Sequence, residues 1–193
     1  YAAIIERIVK DDVAVAVTGY SAVERESTLD IALAQGISSG ERMDYTLQKA
    51  VELGIRAIQP IAAHRSVVKL SAERADRRVA HWQGVVASAC EQCGRNTLPP
   101  VTQPQNLANW LGTRPAGRLL FLSPTAEHRL AELPRPTGRD TLVVGPEGGF
   151  EADEIAALEA AGAVPVKLGA RILRTETAAL AALAAMQTLW GDY

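Results

Sequence analysis

From residue 29 onward, short apolar runs alternate with stretches of helical spacing, and that alternation restricts the chain to an α/β fold around a mostly parallel sheet. A strand is expected at 29–35, then a helix at 41–53 with Met43, Leu47, Ala50 and Val51 on one face and Gly54 as its stop. A strand at 56–61 leads to a long helix at 71–93, capped by Ser71, and to a short helix at 106–111. The runs at 119–122 and 141–145 are apolar and bounded by breakers, as strands buried on both faces are. A helix at 154–161 ends at Gly162, a strand follows at 164–168, and the last helix spans 175–190. Ahead of these, 4–9 and 13–17 read as a β-hairpin turned at Asp11-Asp12, with 18–27 as a polar linker.

The last helix is unusual. It contains Ala178-Ala-Leu-Ala-Ala-Leu-Ala-Ala-Met186, apolar on every side, so burial all round is expected. One side fits the sheet and the other a second copy of the chain. Hydrophobic residues make up 48% of the 193 and charged residues 22%, which suits a packed core, yet no apolar run is long and charge-free enough to span a bilayer. The N-terminus lacks the basic segment and apolar core of a secretory signal, and the chain opens on Tyr1 rather than Met, as a piece of a longer protein would. Two cysteines are too few for a disulfide framework, which makes the cytoplasm the expected compartment. The net charge of −2 is unevenly spread, because 56–95 holds seven Lys/Arg against three Asp/Glu. A local basic field on an acidic body suits docking to a polyanion, with a solvated helix face as the plainer explanation.

Three motifs carry chemistry. Gly145-Pro-Glu-Gly-Gly149 follows a buried strand and precedes a helix. Glycines there let the backbone turn tightly and approach a ligand, and open α/β sheets bind ligands at the carboxyl ends of their strands. The motif has neither the Lys-Ser/Thr pair of a P-loop nor the spacing of a dinucleotide fingerprint. Leu168-Gly-Ala-Arg-Ile-Leu-Arg-Thr-Glu-Thr-Ala178 also joins a strand to a helix. Its Arg171 and Arg174 stand where the helix dipole disfavours cations, so a carboxylate or a phosphate is expected to hold them, with Glu147 and Glu176 as candidate carboxylates. The third, Ala89-Cys-Glu-Gln-Cys-Gly-Arg-Asn96, ends the long helix. Zinc needs four ligands; there is no second Cys pair, and His64, His81 and His128 lack ligand spacing, so no metal is expected. A redox dithiol and a nucleophilic cysteine stay open for Cys90 and Cys93.

Five stretches occur in a fixed order: Glu41-Arg-Met-Asp-Tyr-Thr-Leu-Gln-Lys-Ala-Val-Glu-Leu-Gly54, Arg65-Ser-Val-Val-Lys-Leu70, Cys90-Glu-Gln-Cys-Gly-Arg-Asn96, Gly145-Pro-Glu-Gly-Gly-Phe150 and Arg171-Ile-Leu-Arg-Thr-Glu-Thr-Ala-Ala179. Together they resemble the ribosomal RNA small subunit methyltransferase E family of the SPOUT superfamily, over nearly the whole sequence. One departure is Ala170, where the family often has Pro. The resemblance implies a SPOUT-type sheet with a deep C-terminal trefoil knot in 25–193, a rare exception to unthreaded chains. It makes 1–24 the tail of a PUA-like RNA-binding β-barrel whose remainder is not in the sequence. It implies a homodimer, in agreement with the last helix. It implies S-adenosylmethionine held by three loops: Leu122, Ser123 and Pro124; Gly145, Glu147, Gly148 and Gly149; Leu168, Gly169, Ile172 and Leu173. The implied reaction is methylation of a uridine N3 in 16S RNA of the assembled small subunit.

A uridine N3 carries a proton at neutral pH. That proton must leave, and the negative charge then spreads onto the flanking carbonyl oxygens, so a carboxylate and a cation are needed. Arg174 is expected to stabilise the anion, and Glu147 or Glu176 to take the proton. Arg65, Lys69, Arg95 and Asn96 are expected to touch RNA. A ring nitrogen needs no covalent adduct, so the cysteines need not act. The alternative is a non-catalytic, knotted RNA-binding ribosome-assembly factor. A nucleotide-dependent oxidoreductase is weaker, for want of the dinucleotide fingerprint.

Overall fold

The computed structural model describes residues 1–66 and 72–193. Two antiparallel strands, β1 (Ala2–Val9) and β2 (Asp12–Gly19), form the expected hairpin. Five more, β3 (Ile31–Gly36), β4 (Ala57–Ile61), β5 (Arg118–Leu122), β6 (Asp140–Val144) and β7 (Val164–Val166), form a wholly parallel sheet in the order β4-β3-β6-β5-β7. The helices are α1 (Gly40–Glu52), α2 (Ala72–Cys93), α3 (Leu107–Thr113), α4 (Ala152–Ala160) and α5 (Thr175–Trp190). The expected cap of α2, Ser71, lies outside the described residues.

The two-residue period of a strand divides the core between the sheet's faces. Leu120, Leu142 and Val144 pack with α1, α2 and α5 on one face, while Leu119, Phe121 and Val143 pack with Leu107 and Trp110 of α3 and Leu158 of α4 on the other. Every residue of β6 is buried, which fits the apolar run Leu142-Val143-Val144, while Asp140 at its start is held by Arg118. On α1 the buried stripe is Met43, Thr46, Leu47, Ala50 and Val51, and Gly54 at φ +82° ends the turn.

Three differences from expectation have physical causes. β7 stops two residues early because Lys167 leaves the sheet: its N–H donates to the His128 carbonyl, and its own carbonyl accepts from Leu130. The segment 18–27 is irregular but its end is not a loose linker. Ser27 is buried, its hydroxyl donating to Gln187 Oε1 at 2.9 Å, and Gln187 Nε2 donates to the Leu53 carbonyl at 2.7 Å. Finally, α5 is not buried all round within one chain. Ala179, Ala182, Leu183, Met186 and Trp190 are buried, while Ala181, Ala184 and Ala185 are half-exposed and Leu189 is exposed. The hairpin is barer still, with Ile4, Ile5, Ile8, Val13, Val15 and Val17 all exposed.

Candidate active site

Since β5, β6 and β7 run parallel, the loops that follow them emerge at one end of the sheet, the carboxyl end where α/β folds bind ligands. They border a cleft of about 540 Å³, well inside the range of about 300–1,000 Å³ for small-molecule sites. Leu122, Ser123 and Pro124 line it from the first loop, Gly145, Glu147, Gly148 and Gly149 from the second, and Leu168, Gly169, Ile172 and Leu173 from the third. The sequence motifs 145–149 and 168–178 therefore meet in space.

Close backbone approach shapes the second loop. It closes through the Gly149 N–H on the Pro146 carbonyl at 2.9 Å, with Gly149 at φ +69°. Gly36, at the end of β3, lies so near that a Cβ there would strike the Pro146 nitrogen. Thr175, the first residue of α5, joins the loops: its hydroxyl donates to the Gly145 carbonyl at 2.6 Å and accepts from Gln35 Nε2 at 2.9 Å.

The charges are arranged differently from expectation. Glu147 and Glu176 do not pair with Arg171 or Arg174. Both face Arg42, on the first turn of α1. Glu147 Oε1 accepts from Arg42 Nη1 at 3.3 Å and from the Ser39 N–H at 2.9 Å, and Glu176 Oε1 lies 4.0 Å from Arg42 Nε. Burial raises the Glu147 carboxyl, but the hydrogen bonds from Ser39 and Arg42 outweigh it and hold the group below the usual carboxylate range. The second oxygens, Glu147 Oε2 and Glu176 Oε2, are buried without a partner, as is Gln35 Oε1 beneath them in the Thr175 network. Arg171 and Arg174 line the same cleft, exposed, with no ion pair to any described residue. Arg174 is the N-cap of α5, its carbonyl accepting from Ala178 at 2.8 Å.

The other expected residues lie elsewhere or behave otherwise. Arg65 reaches the cleft rim, where Nη1 donates to the Gly148 carbonyl at 3.2 Å and Nε lies 3.5 Å from Glu151. Lys69 is outside the described residues. Arg95 is not a surface cation: its side chain is 3% exposed, paired with Glu26, and its Nη1 donates to the Val51 carbonyl at 2.9 Å. Asn96 is exposed, 3.5 Å from the Val23 carbonyl. Neither Cys90 nor Cys93 lines the cleft. Burial pushes the Cys90 thiol up, which makes it a poor thiolate nucleophile. Beside Arg65, His64, Glu151 and Asp153 bring three possible ligand atoms within 4.8 Å of one another, all on exposed or half-exposed side chains. Sequence reasoning missed Arg42; its only signal is a cation beside the helix start of the 41–54 motif.

The chain matches known proteins closely. Residues 25–187 match the model of the RNA methyltransferase domain. The ribosomal RNA small subunit methyltransferase E of Buchnera aphidicola is 39% identical over 168 residues, covering 86% of this chain and 68% of that protein. A crystal structure of the Neisseria gonorrhoeae enzyme of that name, bound to S-adenosyl methionine, superposes with a TM-score of 0.91 at 45% identity, covering 99% of this chain and 79% of that one. A Legionella pneumophila protein solved in complex with SAM superposes at 0.93 with 40% identity, again covering 99% and 79%. Sequence match and fold thus define an RNA methyltransferase domain. The chain belongs to the ribosomal RNA small subunit methyltransferase E family.

Proposed function

We propose that the protein methylates N3 of a uridine in 16S RNA of the assembled small ribosomal subunit, in the cytoplasm, with S-adenosylmethionine as methyl donor. The observation that carries this reading is the convergence of three strand-end loops on one cleft holding two carboxylates and two arginines that have no ion pair among the described residues. The lining suits the donor: Leu122, Leu168 and Leu173 offer apolar surface, the glycines offer bare backbone, and Glu147 and Glu176 offer negative charge to a cationic ligand. Bound there, the donor supplies a methyl group on positively charged sulphur. The chain's own residues do the rest. The loops orient the ligand for in-line transfer, where alignment contributes much of the acceleration. A carboxylate accepts the N3 proton, and Arg174 stabilises the anion left on the base.

Residues 25–193 form the catalytic unit in this reading, and 1–24 the tail of a PUA-like barrel. The family match beginning at 25 and the bare hairpin support that division. The C-terminal trefoil knot is supported by β6 lying between β3 and β5, and by the chain after β7 pairing with the 128–130 turn before α5 begins. The open face of α5 supports a homodimer. Arg65 and Lys69 contact RNA beside the cleft, with Asn96 further off. The decisive experiment is nucleoside mass spectrometry of ribosomal RNA from cells with and without the gene. Loss and restoration of 3-methyluridine in small-subunit RNA is expected, and an unchanged level would overturn the proposal.

A further inference from the structure

We infer that Arg42 is a positioning residue that assigns different tasks to the two cleft carboxylates, anchoring Glu147 and leaving Glu176 Oε2 as the proton acceptor. This rests on the methyltransferase reading but not on which RNA atom is methylated. The two acids reach the cleft from sequence positions 29 apart, on the second loop and on the first turn of α5. Two like charges sharing a poorly solvated site cannot both stay ionised without a cation between them. Arg42 supplies that cation from a third element, 3.3 Å from Glu147 and 4.0 Å from Glu176.

The asymmetry lies in what else each acid touches. Glu147 has one oxygen fixed by two donors, the Ser39 N–H and Arg42 Nη1, so it fastens the second loop to the start of α1. A carboxylate held that firmly in its charged form is a weak base. Glu176 accepts no hydrogen bond from a described residue; Arg42 reaches it by charge alone. Its Oε2, like Glu147 Oε2, is buried and unpartnered, and such an orphan acceptor is costly unless a donor arrives with the substrate; with no hydrogen bond holding its other oxygen, Glu176 is the freer of the two to take the proton. The proton-bearing acceptor atom of RNA is such a donor. Its bond to hydrogen breaks, the proton passes to Glu176 Oε2, and the electron pair stays on the acceptor atom, ready for the methyl group. The charged groups that line the cleft with Glu176 are Arg42, Glu147, Arg65, Lys167, Arg171 and Arg174. Among them only Arg42 lies within ion-pair distance of Glu176.

The test is single-turnover methyl transfer across pH by the full-length protein, with small subunits isolated from cells lacking the gene. Calorimetry with S-adenosylmethionine shows that each variant keeps its donor site. Glu176→Gln should lose about 10²–10⁴-fold in rate, together with the acid limb of the pH profile. Glu147→Gln should keep an acid limb. Arg42→Ala should move that limb upward, because an opposite charge has gone, while Arg42→Lys leaves it near its place. A purely structural Arg42 would lower the rate without moving the limb, and that result would overturn the inference. So would an acid limb that survives Glu176→Gln or vanishes in Glu147→Gln. If the wild-type product is methylated at another RNA atom, the uridine reading falls, and the same pH profiles still decide the role of Glu176.

Discussion

Arg95 and Arg174 both stand in short motifs, and the structure gives them opposite surroundings. Arg95 spends Nε and Nη2 on Glu26, at 3.1 and 2.5 Å to one oxygen, with both side chains nearly out of solvent. Removing one partner of a buried pair strands the other, at about 3–5 kcal/mol. Glu26→Gln or Arg95→Ala should therefore lower stability by that order in urea unfolding; a change near zero would mean the pair contributes nothing. Burial raises the Glu26 carboxyl, but Arg95, the Thr97 N–H and Arg56 outweigh it and bring it below the ordinary 4.5. The unfolded chain then binds the proton more tightly. This part of the stability is present in full above about pH 4.5 and drains away as pH falls through the lower folded-state value. Glu26→Gln should flatten that acid-side loss. Arg174, by contrast, lines the cleft with no ion pair to any described residue. Arg174→Ala should cost about 10²–10³-fold in methyl transfer with donor affinity kept, as single-turnover rates and calorimetry would show.

At the level of elements, the loops depend on how closely the strand ends approach. A methyl group at Gly36 would meet the Gly145 carbonyl carbon at 2.7 Å. Backbone cannot yield as a flexible side chain can, so Gly36→Ala should push the 145–149 loop out of place and slow transfer by about 10²-fold. A rate equal to wild type would show that the loop tolerates the shift. The elements were legible because their signals are local: β6 declares itself by the apolar run at 142–144, and α1 by Met43, Leu47, Ala50 and Val51 at helical spacing. The glycines at 145–149 were legible for the same reason. The pairings were not. Arg42 meets carboxylates more than a hundred residues downstream, and Arg95 meets an acid in a segment that reads as a polar linker. A cation in a sequence carries no mark of which anion the fold will bring beside it. Nor does an apolar helix say how much of its surface its own chain will cover, as α5 shows.

At the scale of the whole molecule, the proposal above gives the open side of α5 to a second copy and the cleft mouth to RNA. Light scattering at micromolar concentration should give a dimer, and Ala181→Glu with Leu189→Glu should give a monomer, since these positions share the uncovered face. A wild-type monomer would remove the dimer from the proposal. On the RNA side, Arg65→Ala should reduce the slope of log affinity against log salt by about one unit per lost phosphate contact. An unchanged slope would make Arg65 a fastening for Gly148 and nothing more.

The hairpin at the start has a practical bearing on where this gene can be cut. Its two strands pair only with each other in the described chain, so each also presents an outer row of unsatisfied amides and carbonyls beside exposed Ile and Val. Such a ribbon is a template for further strands, and a fragment beginning at residue 1 should grow fibrous or amorphous deposits on standing. Trimming to residue 29 would remove that hazard but discard Glu26 and Ser27, the latches on Arg95 and Gln187. The border that keeps the latches and sheds the ribbon falls between Gly19 and Glu26.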